Sequence, residues 1–464
     1  WGEAMATGPN INVTSKGRAV MSDADRQAAF AAITRAQELA ETATPEERAL
    51  IAAMAARYNG DPATSREPLD IAYAEAMGDY VTAHLADDDA AAMYAEAWMN
   101  TMPWDYWSAD GAPKPETVKV IESLEGIIDR SPEHPLALHL YIHAVEASQN
   151  PGRAEDEADR LANLVPGSGH LVHMPAHIYW RVGRYDDAAK ANITAASVDE
   201  DYIAQCNAQG FYPALYYPHN IHFLWAAASM SGQQDMAIEA GQKVADNVHM
   251  EQIEQFPTVE FFKTIPLLSL VQFGQWEDIL AAEQPPESLD YSNAIWRYAR
   301  GVAAARTGDM ESARADRKVL AGLKDSVQIS FLDTSDYPAS VLLGIADALL
   351  QGEIAMAEGS PDQAIPHFAA AVAAQDSLPY MEPPFWYYPT RQSLGEAYIA
   401  AGEFAAAEAV YKKDLEDYPR NGWSMSGLVK ALESQDKSDE AVTVQEKFDI
   451  VWRHSDVELD GSRL

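Results

Sequence analysis

The chain of 464 residues has a single cysteine, Cys206. One thiol excludes an internal disulfide, and it excludes zinc sites built on two or four thiolates. The redox compartment therefore cannot be read from cysteine usage. Basic residues are scarce. There are 33 Lys and Arg against 71 Asp and Glu, a net charge of −38. A field of that sign repels phosphate backbones and anionic lipid surfaces, so nucleic acid is not an expected partner. It favours cations, basic peptides and solubility. No run of consecutive apolar residues approaches the roughly 18 that read as a membrane-spanning helix, so no span is expected. A Gly-rich phosphate loop and a G-x-S-x-G elbow are also missing. The acidic stretches "ADDDA" and "DEDY" lack the Gly and the twelfth-position Glu of a calcium loop. The chain opens at Trp1, not at Met, and "WGEAMATG" reads as the second half of a helix. Residues are expected upstream, a targeting signal among them, and with them a periplasmic or secreted location.

What the chain does have is helical periodicity nearly throughout, with little period-two alternation of β-branched residues. It also repeats itself. "SLGEAYIAAGEFAAAEAVYKKDLEDYP" places Gly395, Tyr398, Gly402, Phe404, Ala407, Tyr411 and Pro419 at fixed offsets. The same spacing recurs as Tyr179, Gly183, Tyr185, Ala188 and Ala195, and as Trp225, Ala228, Gly232 and Ala237. It returns as Gly301, Ala304, Gly308, Ala313 and Leu320, and as Gly352, Ala355, Gly359, Ala364, Phe368 and Ala371. Looser copies begin at His134 and Asn421. Small residues let paired helices approach, a Gly sits in the turn, and a Pro closes the unit.

On these residues the chain resembles tetratricopeptide-repeat proteins, as a bacterial-type member, most clearly from His134 to Val451. The resemblance implies an all-α fold, a right-handed α-solenoid superhelix of helix–turn–helix units. Three regions are expected: a helical N-terminal region over 1–110, repeat units carrying the histidines over 111–280, and further repeat units over 281–464. Aromatics in "FYPALYYPHN" and "EPPFWYYPTRQ" read as packing between repeats or as the wall of a pocket. Arg391, beside the second group, reads as a partner for one of the many carboxylates.

The chain has 12 histidines, and eight lie between His134 and His222, where an even spread would give about two. "HLYIHAVE" offers His139, His143 and Glu146 at i, i+4, i+7. "HLVHMPAHIYW" offers His170, His173 and His177, and "HNIH" offers His219 and His222. Spacings of three and four place side chains on one helical face. The family resemblance implies that these offsets line the concave surface, where seven imidazoles and one carboxylate would share a groove. Imidazole and carboxylate without sulfur suit zinc, iron or copper. The expectation is a transition-metal site, metal-dependent catalysis included. His139, His143, His173, His177 and His222 would be the primary ligands. Glu146 would be a ligand or general base, and His170 and His219 supporting partners or ligands of a second metal. "HLYIHAVE" is not H-E-x-x-H, so a zinc protease is not inferred. The competing expectation is a scaffold that holds a peptide or protein partner in the groove, a basic one by charge.

Two local readings complete the set. Pro175 either kinks the histidine helix or marks its first turn, leaving His170 and His173 on the entering loop. His84, His249, His367 and His454 read as ordinary hydrogen-bonded side chains, and His134 as a cap or turn residue.

Overall fold

The computed structural model describes the chain except for residues 13, 16–17, 62, 109 and 209–211. It is all-α. Among the described residues the strands amount to one two-residue ladder, Thr14–Ser15 with Arg18–Ala19. The chain divides into two compact units, Trp1–Val165 and Pro166–Leu464, a boundary inside the region 111–280 drawn from the sequence.

The first unit packs the helices Asp23–Leu39, Pro45–Ala55, Arg66–Ala83, Asp88–Met99, Pro115–Arg130 and Pro135–Val145 in chain order. Their starts are written locally. Thr44 and Glu47 form a reciprocal capping box. The Asp87 carboxylate accepts from the Ala90 amide at 3.0 Å. His134 Nδ1 accepts from the Ala137 amide at 3.2 Å, so this histidine is a cap.

The second unit is a solenoid of helix pairs. Its first pair sets the two segments Gly169–His173 and Pro175–Arg181 against Tyr185–Cys206. Next come Tyr217–Met230 with Gln234–Asp246, and Ile265–Gln272 with Trp276–Ala281. Asp290–Thr307 pairs with Met310–Leu323, and Ala339–Ala357 with Pro361–Asp376. The last pairs are Arg391–Ala400 with Phe404–Asp417, and Gly422–Glu433 with Ser438–Val451. The turn glycines marked by the repeat pattern, Gly183, Gly232, Gly308, Gly359 and Gly402, all adopt φ between 70° and 89°. Gly274, at φ 66°, marks a pair that the sequence pattern did not reveal. The small residues inside the helices make slots. A Cβ on Gly395 or on Gly427 would lie 2.3 Å from the Tyr411 ring, so the fully buried ring fits only between two bare backbones.

The end of this unit returns to its beginning. The Trp423 indole donates to the Ser229 carbonyl at 2.9 Å across 194 residues. The Asp456 carboxylate accepts from the Gln234 and Asp235 amides at 2.5 and 3.0 Å. It thereby caps a helix that lacks a side-chain cap of its own. Arg463 is half-buried, donates to Gln272 Oε1 at 2.8 Å and lies 3.9 Å over the Tyr388 ring. The Pro419 carbonyl presses on Gly183 so closely that a Cβ there would meet it at 2.0 Å.

The helix Ala339–Ala357 is long and apolar enough to cross a bilayer by length and composition, with a mean hydropathy of 1.4. Here it is a core helix. Two-thirds of it is buried, and its Asp347 and Glu353 pair with Arg317 and Arg306.

Two measurements test this architecture. Gly183→Ala should lower stability by clearly more than Gly402→Ala, because both positions demand positive φ but only Gly183 has a carbonyl in the way. The Gly402 change should cost about 1 kcal/mol, read from urea midpoints, and equal losses would contradict the closure contact. The second concerns Asp414, which is buried and accepts from Asn421 Nδ2 at 2.9 Å and Ser424 Oγ at 2.5 Å. Burial pushes its carboxyl up to about 7. From about pH 4 to pH 7 the folded state then holds a proton that the unfolded chain has released, so stability falls as pH rises through that window. Asp414→Asn keeps a neutral acceptor and should flatten the fall. An unchanged pH slope would contradict the assignment.

Candidate metal centre

The stretch "HLVHMPAHIYW" forms two helical segments, Gly169–His173 and Pro175–Arg181, joined at Met174. Met174 itself is helical, at φ −49° and ψ −40°, so the path does not break. The His177 amide reaches the Met174 carbonyl at 3.2 Å, an i to i−3 bond. Pro175 thus opens the second segment, and His173 and His177 still stand one turn apart on one face. The start of the helix is pinned by Asp199 on the paired helix Tyr185–Cys206. A Cβ on Gly169 would lie 1.8 Å from Asp199 Oδ1. Tyr212 donates to that oxygen at 2.6 Å, and Asn220 donates to Oδ2 at 2.7 Å. One buried carboxylate therefore fixes the histidine helix, the π-helical segment Tyr212–Tyr216 and the helix Tyr217–Met230 relative to one another.

Three imidazoles converge there. His173 Nε2 lies 2.8 Å from His177 Nε2 and 3.2 Å from His219 Nε2. The outward nitrogens are committed. Asn192 donates its amide to the Ala188 carbonyl at 2.8 Å, which leaves Oδ1 to accept from His173 Nδ1–H at 2.7 Å. His177 Nδ1–H donates to Glu382 Oε2 at 3.1 Å, and Tyr380 donates to Glu382 Oε1. Both rings are thereby set as Nδ1–H tautomers, with the Nε2 lone pairs turned inward. Burial, then the neighbouring His177, His219 and His170, hold the His173 imidazole well below its ordinary pKa, which keeps that lone pair. Phe223 is fully buried and walls one side, 5.1, 5.0 and 6.0 Å from the three rings.

His170 stands beside the triad. Its ring is 6.2 Å from that of His173, tilted by 29°, and meets Tyr216 edge-on at 5.1 Å. His222 does not join. It lies about 60° round the helix from His219, stacks on Trp225 at 5.2 Å and meets Phe261 and Phe262. That apolar cage drops its pKa to about 3 by desolvation alone. His222, expected among the primary ligands, therefore stands apart from the converging rings, and His219, expected as a supporting partner, stands with them. In the first unit, His139 and His143 stand ring to ring at 4.8 Å. His143 Nδ1 donates to Glu146 Oε1 at 3.1 Å and its ring meets Trp104 at 5.0 Å. This is a second carboxylate–imidazole pair.

Asn192 and Glu382 were not singled out in the sequence. Glu382 is 205 residues from His177 and carries one signal, a lone carboxylate in a Pro- and aromatic-rich loop. The aromatics after it are packing residues: Trp386, Tyr387 and Tyr388 are buried. Arg391 pairs with Asp376 through two bonds of 2.8 and 2.7 Å, as its acidic surroundings suggested.

Helix pairs, positive-φ turn glycines and glycine slots recur in register through the second unit. The second unit is an all-α repeat of helix pairs, the architecture that the resemblance to tetratricopeptide repeats implied. No protein-family model matches the chain, and no curated protein matches it. Among solved structures, the human IFIT1 dimer with m7Gppp-AAAA aligns with 92% of this chain and 86% of its own, at 12% identity and a TM-score of 0.35. Yeast Tom70 aligns with 83% of this chain and 89% of its own, at 12% identity and a TM-score of 0.31. The APC/C hetero-tetramer Cut9–Hcn1 aligns with 93% of this chain and 85% of its own, at 12% identity and a TM-score of 0.29. At these scores the geometry inside the chain, not the likeness, carries the fold.

Nitrogen-15 NMR of the protein stripped of metal with a chelator should report Nδ1–H tautomers for His173 and His177. Asn192→Ala should release the His173 preference and leave that of His177 in place. An Nε2–H signal at His173 in the unaltered protein would mean that Asn192 presents its amide nitrogen instead.

Proposed function

We propose that the second unit binds one transition-metal ion, zinc, iron or copper, through Nε2 of His173, His177 and His219. One observation carries this reading: the 2.8 Å approach of His173 and His177 Nε2 while both Nδ1 nitrogens are engaged as donors. Two inward lone pairs at that distance repel unless a positive charge lies between them. A shared proton is the lesser candidate, because burial opposes a charged His173. A metal ion fits. A tetrahedral zinc ion with bonds of about 2.0–2.1 Å holds its nitrogens about 3.3 Å apart. The observed separations of 2.8 and 3.2 Å lie a few tenths of an ångström short of that. Asn192 and Glu382 supply the outer hydrogen bonds that orient imidazole ligands and raise their basicity. A net charge of −38 draws cations in. In the first unit, Glu146 would orient His143 in the same manner, so its role in this reading is orientation rather than base catalysis.

The repeat scaffold equally suits a peptide or protein partner, and the charge favours a basic one. That reading assigns no task to Asn192 or Glu382, which is why the metal reading is preferred.

Protein purified without a nickel column and analysed for elements should carry about one equivalent of metal that His173→Ala and His219→Ala each remove. Circular dichroism would verify that the variants stay folded. Glu382→Gln should retain the ion with affinity weakened about 10- to 100-fold, the usual size of an outer-shell loss. Trace metal left unchanged by both alanine variants would sink the proposal.

A further inference from the structure

We infer that the second unit carries a recognition site for an extended segment of a partner protein, one that presents a glycine and, two residues later, an arginine. Residues 460–463 of the chain itself occupy this site as a releasable strap. No residue of the three-histidine centre takes part, so the inference stands apart from the metal reading. Beyond the helix Ser438–Val451 the chain has no helix or strand. It is tied down first where the Trp452 indole donates to the Val457 carbonyl at 3.0 Å and where Asp456 caps the helix that starts at Gln234. Among the described residues none hydrogen-bonds to Glu458 or Leu459, which form a bare tether. The chain then docks again. Asp460 is exposed, but Gly461 and Ser462 are buried.

The site reads backbone first. Lys430 Nζ donates to the Asp460 carbonyl at 2.8 Å, and Glu396 Oε1 accepts from the Ser462 amide. The Ser462 hydroxyl donates to the Gln392 carbonyl at 2.8 Å, so the Tyr411 hydroxyl, also 2.8 Å away, donates to it. Two positions then select. Gly461 sits at φ 138°, and a Cβ there would lie 2.1 Å from Glu396 Oε1, so glycine alone fits. Arg463 lays its guanidinium over the Tyr388 ring at 3.9 Å and donates to Gln272 Oε1 at 2.8 Å. The strap therefore brings a glycine, a serine and an arginine, held by polar bonds, where the repeats pack on one another through apolar side chains. Its dock is also incomplete. Arg463 Nε is buried without a hydrogen-bond partner, and the acceptor of its Nη1 is a neutral amide. A guanidinium drawn out of water is costly while its donors are unmet. Release from the tether onward leaves the Trp452 and Asp456 contacts in place, and a net charge of −38 draws an arginine-bearing segment to the vacated site.

The probe is a synthetic peptide with the sequence of residues 458–464, acetylated, amidated and fluorescent, titrated with the whole chain while anisotropy is recorded. A short tether keeps the strap at an effective concentration on the order of millimolar, so the unaltered chain should bind the peptide weakly. Arg463→Glu and Gly461→Ala each disable the strap and leave the site intact. Both should tighten peptide binding at least tenfold, with circular dichroism verifying the fold. Lys430→Met added to Arg463→Glu should weaken it again about tenfold, the size of one charge-assisted hydrogen bond. A peptide with alanine in place of its arginine should bind none of these chains. No binding to either strap variant, or equal binding of the alanine peptide, would overturn the site. Equal affinity of the unaltered chain and both variants would overturn the strap. A dimer of the unaltered chain that Arg463→Glu dissolves would overturn docking within one chain and assign the segment to a second copy. In the unaltered protein the Gly461 and Ser462 amides should exchange with deuterium faster than that of Leu428 in the helix interior, and equally slow exchange would overturn release.

Discussion

The closure of the second unit on itself is the constraint on which the rest depends. A solenoid of helix pairs needs only neighbour-to-neighbour contacts. This one adds contacts between its first and last repeats: Pro419 on Gly183, Trp423 on Ser229, and Asp456 on the helix that starts at Gln234. Each is specific. A left-handed glycine under a carbonyl, an indole donor on a helix-end carbonyl and a remote carboxylate as cap all fix position to within a few tenths of an ångström. Closure places the loop that carries Glu382 against the first helix of the unit, and so gives His177 its partner.

The centre shows why its polar groups tolerate burial. An isolated buried imidazole or carboxylate is costly unless its hydrogen bonds are made. His173 answers to Asn192, His177 to Glu382, and Glu382 to Tyr380. Asn192 is fixed in turn by a backbone carbonyl on its own helix. The chain of partners ends in groups that cannot turn around, so the tautomers are imposed from outside. His222 is the contrast within the same short motif. It is surrounded by rings, bonds to none of these groups and behaves as an aromatic side chain.

Much of this was legible in the sequence, for physical reasons that differ by residue. The repeats were visible because Gly395 and Tyr411 belong to an interlocking slot that tolerates few other residues; Gly427, on its far side, emerged only in the structure. The turn glycines were visible because a left-handed turn selects for them. The i, i+4 spacing of His173 and His177 survived Pro175 because the backbone stays helical at Met174. The sequence did not show that His219, rather than His222, stands beside His173, because periodicity assigns a face only to within about 60° and neighbouring aromatics decide the rest. Asn192 and Glu382 were illegible. Neither is unusual in its own stretch, and each takes its meaning from a partner that folding brings to it. The pair Ile265–Gln272 with Trp276–Ala281 was missed because its helices are short and Gly274 lacks the flanking pattern.

Closure also sets an order of events. Contacts across about 200 residues form late, because loop entropy must be overcome before they stabilise anything. A chain emerging from synthesis has its histidine helix long before it has Glu382, and Glu382 before the repeats that pin the loop. During that interval Asn192, on the adjacent helix, can already engage His173, while the contact of His177 with Glu382 is still to form. The site therefore matures in two stages, one local and one global. On the metal reading proposed above, an ion present early would meet a half-formed set of donors and would favour whichever folding route brings the two ends of the unit together.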